Sequence, residues 1–237
     1  CRKLELNADD RLLEIGSGWG GFAIYAAKHY GCNVTTITIS QEQFEEASRR
    51  VREGLLEDQV QVLLKDYREI QGSYDKVVSI EMVEAVGDAY LDTYFGVIDR
   101  VLRPGGLFLI QAITIQDQRY KKALQNVDFI KKYIFPGSFI PSVTVLLDSV
   151  TKKTNCVLVN LEDFGFDYAL TLADWRRRFE NEIQNVLDMG FDHDFIRMWR
   201  FYLSYCEGGF RERSLSDVQL LFVKHGYKNR PWRVQSA

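Results

Sequence analysis

Residues 12–21 read LLEIGSGWGG, an apolar strand pattern that runs straight into four glycines within six residues. A helix pattern, GGFAIYAAKHYG, follows at once, and Gly31 stops it. Strand, glycine turn and helix in this order let a backbone approach a ligand closely, because glycine reaches positive φ at little cost. The alternation then continues: NVTTITIS as strand, QEQFEEASRRVREGL as helix capped by Ser40, VQVLLKD and YDKVVSIEM as strands. YLDTYFGVIDRVL is helical, ends at Pro104, Gly105 and Gly106, and gives way to the buried strand LFLIQAI. Strands alternating with helices predict an α/β fold whose parallel sheet is covered on both faces.

After Ile115 the pattern changes. DQRYKKALQNVDFIKKYIF and the stretch from LTLADW to CEGGF are helical and rich in aromatics. Between them lie a helix near PSVTVLLDSVTKK and a strand, CVLVNLEDF, and SDVQLLFVKHG closes the chain as the last strand. The expectation is one domain over residues 1–237, a doubly wound sheet whose later connections, 115–141 and 164–213, are helical insertions roofing the active site. Ligands bind at the carboxyl ends of strands in such sheets.

Composition narrows the class. With 237 residues, 46% hydrophobic and 27% charged, the chain has an ordinary globular make-up and enough length for a full core. It begins at Cys1, as expected of a fragment whose upstream segment lies outside the sequence. A net charge of −3 argues against nucleic acid as a partner. Lysine and arginine clusters at Lys121 with Lys122, Lys131 with Lys132, and Arg176 to Arg178 still form local positive faces. The four cysteines show no CxxC spacing and read as reduced thiols in a cytoplasmic protein. His29, His193 and His225 lack metal-ligand spacing, so no metal is expected.

Gly16, Gly18 and Gly21 satisfy GxGxxG, and a nicotinamide dinucleotide is therefore one reading of the turn. That site also wants an acid at the end of the second strand, and TTITIS supplies none before Glu42. The same residues fit ExGxGxG, with Glu14 in the strand and Gly16, Gly18 and Gly20 in the turn, the first motif of S-adenosylmethionine-dependent methyltransferases. KDYREI after the third strand supports this, with Asp66 placed to accept from an adenine amino group and Tyr67 to pack near the ring. The methyltransferase reading outranks the nicotinamide one.

A second oddity is SIEMVEAVG, where a buried strand ends on two carboxylates, Glu81 and Glu84. Buried acids are expensive unless paired or hydrogen-bonded, so their use here points to a ligand or to solvent.

These stretches come in a familiar order. EIGSGWGG, TISQEQ, SIEMVEAVG, YFGVIDRVLRPGG, QAITI, KKYIFPGSFIPS, DFGFDYALTLADW and FYLSYCEGGF resemble the cyclopropane-fatty-acyl-phospholipid synthases, from near Leu12 to about Val223. The resemblance implies a class I methyltransferase, Rossmann-like doubly wound sheet, mostly parallel with an antiparallel last strand, lacking the segment the family carries before it. It implies methyl transfer from S-adenosylmethionine to a cis double bond of an unsaturated phospholipid acyl chain, then loss of a proton to close a cyclopropane. Cofactor contacts carried over fall on Gly16, Gly18, Gly20, Thr38, Ile39, Ser40, Gln43, Tyr67 and Arg68.

In the family a bound bicarbonate takes the final proton. Its holders fall on Glu84, on Tyr168 and on the backbone near Ile113, while the histidine of the family is Gln111 here. Ala85 stands where many relatives have histidine, so this pocket is less cationic. Cys206 matches a cysteine often named as active, although direct methyl transfer needs no thiolate. Tyr133, Phe135, Tyr168, Trp175, Phe201, Tyr202 and Tyr205 offer aromatic faces to a carbocation, with two or three expected at the pocket. Glu81 is read as solvated, or as a supporting contact near the cofactor.

The implied partner is lipid at a membrane surface, giving a cytoplasmic, peripherally membrane-associated protein; a homodimer is left open. Alternatives are alkene methylation to a methylene or methyl branch, N-methylation of a small amine, and a noncatalytic lipid- or cofactor-binding domain.

Overall fold

The alternating patterns become a seven-stranded sheet in the computed structural model, which describes residues 1–229. Its strands are β1 (Arg11–Ile15), β2 (Asn33–Thr38), β3 (Val60–Leu64), β4 (Tyr74–Ile80), β5 (Leu102–Ile115), β6 (Cys156–Asp163) and β7 (Leu215–Lys224), in the order β3-β2-β1-β4-β5-β7-β6. The helices are α1 (Gly21–Tyr30), α2 (Gln41–Glu53), α3 (Leu91–Val101), α4 (Asp117–Gln125), α5 (Val143–Lys153), α6 (Gly165–Asn181), α7 (Ile183–Asp188) and α8 (His193–Arg211).

The pairings of β1 with β2 and β4, β2 with β3, and β4 with β5 are parallel. The last strand runs the other way. Gly105 N–H donates to His225 O, whereas Gln111 meets Gln219, so partner numbers fall along β7 as they rise along β5. Order reverses between β1 and β4, and the carboxyl ends of these two strands frame the switch point where doubly wound sheets bind ligands.

Two compact units divide the described chain. Unit 1 comprises Cys1–Ala112, Thr144–Glu162 and the described residues from Gln219. On one sheet face Leu12, Val34, Val60, Val78, Leu109 and Leu221 pack with Ala23, Ala26 and Ala27 of α1. Phe108 of β5 stacks on Phe222 of β7 at 5.3 Å and meets Phe95 of α3 at 6.1 Å. Burying side chains of this size contributes about 1.5–3 kcal/mol each, which is why Leu107 to Ile110 of β5 reads as an unbroken apolar run.

Unit 2 comprises Ile113–Val143 and Asp163–Val218. Ala169 and Leu172 of α6 and Leu203 and Phe210 of α8 form its core, with Ile113, Tyr168, Tyr202, Cys206 and Leu215 against it. Glu207 of α8 is buried and takes Arg176 Nη2 at 3.1 Å and Arg211 Nε at 2.8 Å. Burial alone raises a carboxyl's pKa, but Arg211 and Arg176 outweigh it and hold Glu207 below the ordinary range.

Gly31 ends α1 in the left-handed conformation, and Ser40 caps α2 by accepting from Gln43 N–H, as the sequence predicts. Three boundaries differ from expectation. Pro104-Gly105-Gly106 lies inside β5 as a register shift, where Gly105 still finds a strand partner in His225 O. The long helical stretch breaks into α6, α7 and α8, because Gly190 adopts φ 91° and Asp192 starts α8 afresh by accepting from Phe195 N–H. The stretch after Ile115 also breaks: α4 ends at Gln125 and a π-helical turn follows at Ile130–Ile134, joined by Lys131 Nζ donating to Ala123 O and Asn126 O.

Candidate active site

The glycine turn is built by backbone need. Gly16 and Ser17 N–H both donate to Ile37 O, at 3.1 and 2.8 Å, which ties the end of β1 to β2 and forces Gly16 to φ 97°. A Cβ on Gly16 would meet Met82 Cγ at 3.0 Å. Gly18 differs: it has φ 47° and a Cβ there would meet nothing within 4 Å. Its backbone therefore faces open space, as a ligand cradle requires.

Below the turn, Glu14 is almost fully buried and accepts from Thr36 Oγ1 at 2.6 Å. Desolvation pushes its carboxyl up to about 8, only partly opposed by that hydrogen bond. At the end of β2, Thr38 Oγ1 donates to Gln43 Oε1 at 2.7 Å and accepts from Ser40 N–H at 3.1 Å. Ile39 between them is 79% exposed, an apolar side chain held outward by a rigid polar turn. Past β3, Asp66 accepts from the backbone and guanidinium of Arg68, which holds its carboxyl below the ordinary range. The sequence predicts an adenine amine as the partner of Asp66; the structure pairs its carboxylate with Arg68. Tyr67 is half-buried against Tyr94, ring centroids 5.5 Å apart.

The strand end of β4 carries the two acids in different settings. Glu81 adopts φ 49°, left-handed for a residue with a side chain. Its N–H donates to Gln111 O at 2.9 Å, and Gln111 Nε2 donates to Glu81 Oε1 at 2.9 Å. Gln219 Nε2 in turn donates to Gln111 Oε1 at 3.0 Å. Glu84 lies in the 3-10 turn Val83–Ala85, half-buried, with one carboxylate oxygen out of contact with water. Burial pushes the hydroxyl of Tyr94 upward, and the charge of Glu84 adds to it, so the two side chains share a region.

Unit 2 holds the remaining predicted residues. Ile113, Tyr168 and Cys206 all pack on the α6–α8 core, with Tyr168 stacked on Phe210 at 4.8 Å. Burial pushes the Cys206 thiol up to about 12, so it stays protonated at neutral pH. Of the seven aromatics singled out, Tyr168 and Tyr202 line that core, whereas Tyr133, Phe135, Trp175, Phe201 and Tyr205 are each about half exposed. Phe129 joins three of these, lying 4.6 Å from Phe201, 5.5 Å from Tyr133 and 6.3 Å from Tyr205.

Two features escaped sequence reasoning. The Glu81–Gln111–Gln219 chain links β4, β5 and β7, and only the antiparallel placement of β7 reveals Gln219. Tyr94 sat in an amphipathic pattern, and nothing in its spacing marked it as the neighbour of Glu84 and Tyr67.

Comparison with known proteins shows what the chain is similar to. The family model described as mycolic acid cyclopropane synthetase matches residues 1–220. The cyclopropane-fatty-acyl-phospholipid synthase of Escherichia coli K12 is 41% identical over 225 residues, 94% of this chain and 56% of that protein. Tuberculostearic acid methyltransferase UfaA1 of Mycobacterium tuberculosis is 39% identical over 215 residues, 91% of this chain and 50% of that protein. The chain thus spans about half the length of the curated relatives it matches. Among solved structures, the cyclopropane synthase MmaA2 of Mycobacterium tuberculosis superposes with a TM-score of 0.86 at 24% identity, covering 94% of this chain and 81% of that one, which shows a shared fold.

Proposed function

The chain belongs to the mycolic acid cyclopropane synthetase family, and from that premise we propose that it transfers a methyl group from S-adenosylmethionine to a cis double bond in a lipid acyl chain. The observation that carries the cofactor half is the turn itself: Gly18 opens its backbone to space, above a buried Glu14 and beside the rigid Thr38–Gln43 turn. Ile39 and Tyr67 supply apolar and aromatic surface for an adenine ring.

An alkene is a weak nucleophile, so its placement against the sulfonium methyl supplies most of the rate. Attack leaves a carbocation, which aromatic faces stabilise. Loss of a proton from the new methyl closes the ring. Phospholipid acyl chains are the preferred substrate on the strength of the Escherichia coli relative, and docking at a bilayer suits unit 2. There Tyr133, Phe135, Phe201 and Tyr205 are exposed together with Lys121, Lys122 and Lys132. No helix among the described residues is long and apolar enough to cross a membrane.

A branch in place of a ring is the second reading. Gln111 puts a neutral amide where the resemblance expects an imidazole, and one relative is named a methyltransferase and not a cyclopropane synthase. We read the donor set as a poor fit for bicarbonate. In unit 1 neither Glu84 nor Gln111 is a cation, and the Gln111 amide already donates to a carboxylate. The test of the function is incorporation of label from a methyl-labelled donor into acyl chains of cis-monounsaturated phospholipid vesicles, against none into small amines.

A further inference from the structure

Gln111 stands where the resemblance calls for a charged or ionisable anion holder, yet its amide faces a carboxylate of the chain itself. Gln111 Nε2 donates to Glu81 Oε1 at 2.9 Å, Gln111 O accepts from Glu81 N–H at 2.9 Å, and Gln219 Nε2 fixes the amide by donating to Gln111 Oε1 at 3.0 Å. The amide orientation is thereby set: oxygen toward Gln219, nitrogen toward Glu81. An external anion at that nitrogen would meet the negative charge of Glu81, with Glu84 three residues on.

Glu81 is also placed for chemistry. It follows the last residue of β4, the strand beside β1, at the end of the sheet where the glycine turn lies. Its neighbour Met82 packs against that turn, 3.0 Å from the Cβ position of Gly16. The backbone holds φ 49° with a full side chain attached, a conformation that glycine would fill more cheaply if the carboxylate had no use.

We propose that Glu81 is the general base of this chain, the carboxylate that accepts the last proton in place of a bound external anion. The assignment rests on the alkene-methylation reading. In the first step the S–CH₃ bond breaks, its electron pair stays on sulfur as the sulfide, and the alkene π pair forms the new C–C bond, leaving a cation on the adjacent carbon. In the second, a C–H bond of the new methyl breaks, its pair forms the second C–C bond and closes the ring, and the proton passes to the Glu81 carboxylate and then to water. Gln111 and Gln219 are positioning residues that aim this carboxylate.

The experiment compares wild type, E81Q and E81D with S-adenosylmethionine and vesicles of a cis-monounsaturated phosphatidylglycerol. Each is assayed in buffer stripped of carbon dioxide and in the same buffer with bicarbonate. Wild type is expected to turn over equally in both. E81Q is expected to lose about 10²–10⁴-fold in kcat, the usual share of a general base, while its cofactor affinity by calorimetry is unchanged. Added formate restores part of the E81Q activity, and E81D retains part of it, which a merely structural role would not produce. A wild type that stalls without bicarbonate, or an E81Q protein with wild-type kcat, overturns the base assignment while leaving the lipid reading intact. A wild type that methylates no alkene overturns both. Should E81Q not fold by circular dichroism, the bicarbonate response of wild type decides the matter alone.

Discussion

Glu14 and Thr36 face each other across β1 and β2 as register partners, and the threonine hydroxyl donates to the buried carboxyl at 2.6 Å. One hydrogen bond does not offset the loss of water, and the carboxyl is pushed up to about 8. The folded chain therefore holds a proton there that the unfolded chain releases above its ordinary carboxyl pKa. Stability falls as pH rises from that unfolded value toward about 8, by at most about 1.4 kcal/mol per pH unit from this group. Glu14→Gln keeps the shape and cannot ionise, so urea unfolding of the variant at pH 5.5 and 8 is expected to show a flatter dependence than wild type. Equal slopes would contradict the buried, protonated state of Glu14.

Gly16 and Gly18 separate fold from ligand. Gly16→Ala puts a Cβ 3.0 Å from Met82 Cγ at φ 97°, and is expected to destabilise the chain by roughly 1–3 kcal/mol. Gly18→Ala meets open space but puts a side chain at φ 47°, so it should lose only the roughly 1–2 kcal/mol of a left-handed backbone, with no clash added. Cofactor affinity by calorimetry is where Gly18→Ala should show its loss; a variant that binds normally would remove Gly18 from the cradle.

Cys206 is expected to be inert. With its thiol pushed up to about 12 by burial, alkylation by iodoacetamide at pH 7.5 should be far slower than for an exposed cysteine. Cys206→Ser should keep most of the turnover. Rapid alkylation that abolishes activity would restore a nucleophilic role.

Glu207 joins α6 to α8 through Arg176 and Arg211, both arginines partly in solvent. Glu207→Gln should lower stability by about 1–2 kcal/mol, less than a fully buried pair loses. Because its folded pKa is depressed, wild type loses this contribution as pH falls through the folded value, and the variant does not. Thermal melts at pH 7 and pH 3.5 check both statements.

Much of the fold was legible because its signals are local. Gly31 and Ser40 announced helix ends, and the apolar run Leu107 to Ile110 of β5 announced a buried strand. Pro104 misled, since proline with two glycines reads as a loop wherever a bulged strand start uses the same residues. The glycine turn could be read from spacing. The partner of Glu81 could not, because Gln111 lies 30 residues along the chain from Glu81, and Gln219 a further 108, on different strands. Asp66 shows the reverse: its role toward a ligand was inferred from type and place, and its bond to Arg68 two residues on was overlooked.

The central claim is that this chain adds one carbon from S-adenosylmethionine across an acyl-chain double bond. Its most direct test is mass spectrometry of acyl chains from cis-monounsaturated phospholipid vesicles incubated with the protein and a trideuteromethyl donor. The account predicts chains heavier by CD₂, with one deuteron lost to the base, and fragmentation showing where the carbon was added. Unchanged acyl chains alongside a deuteromethylated amine would contradict it.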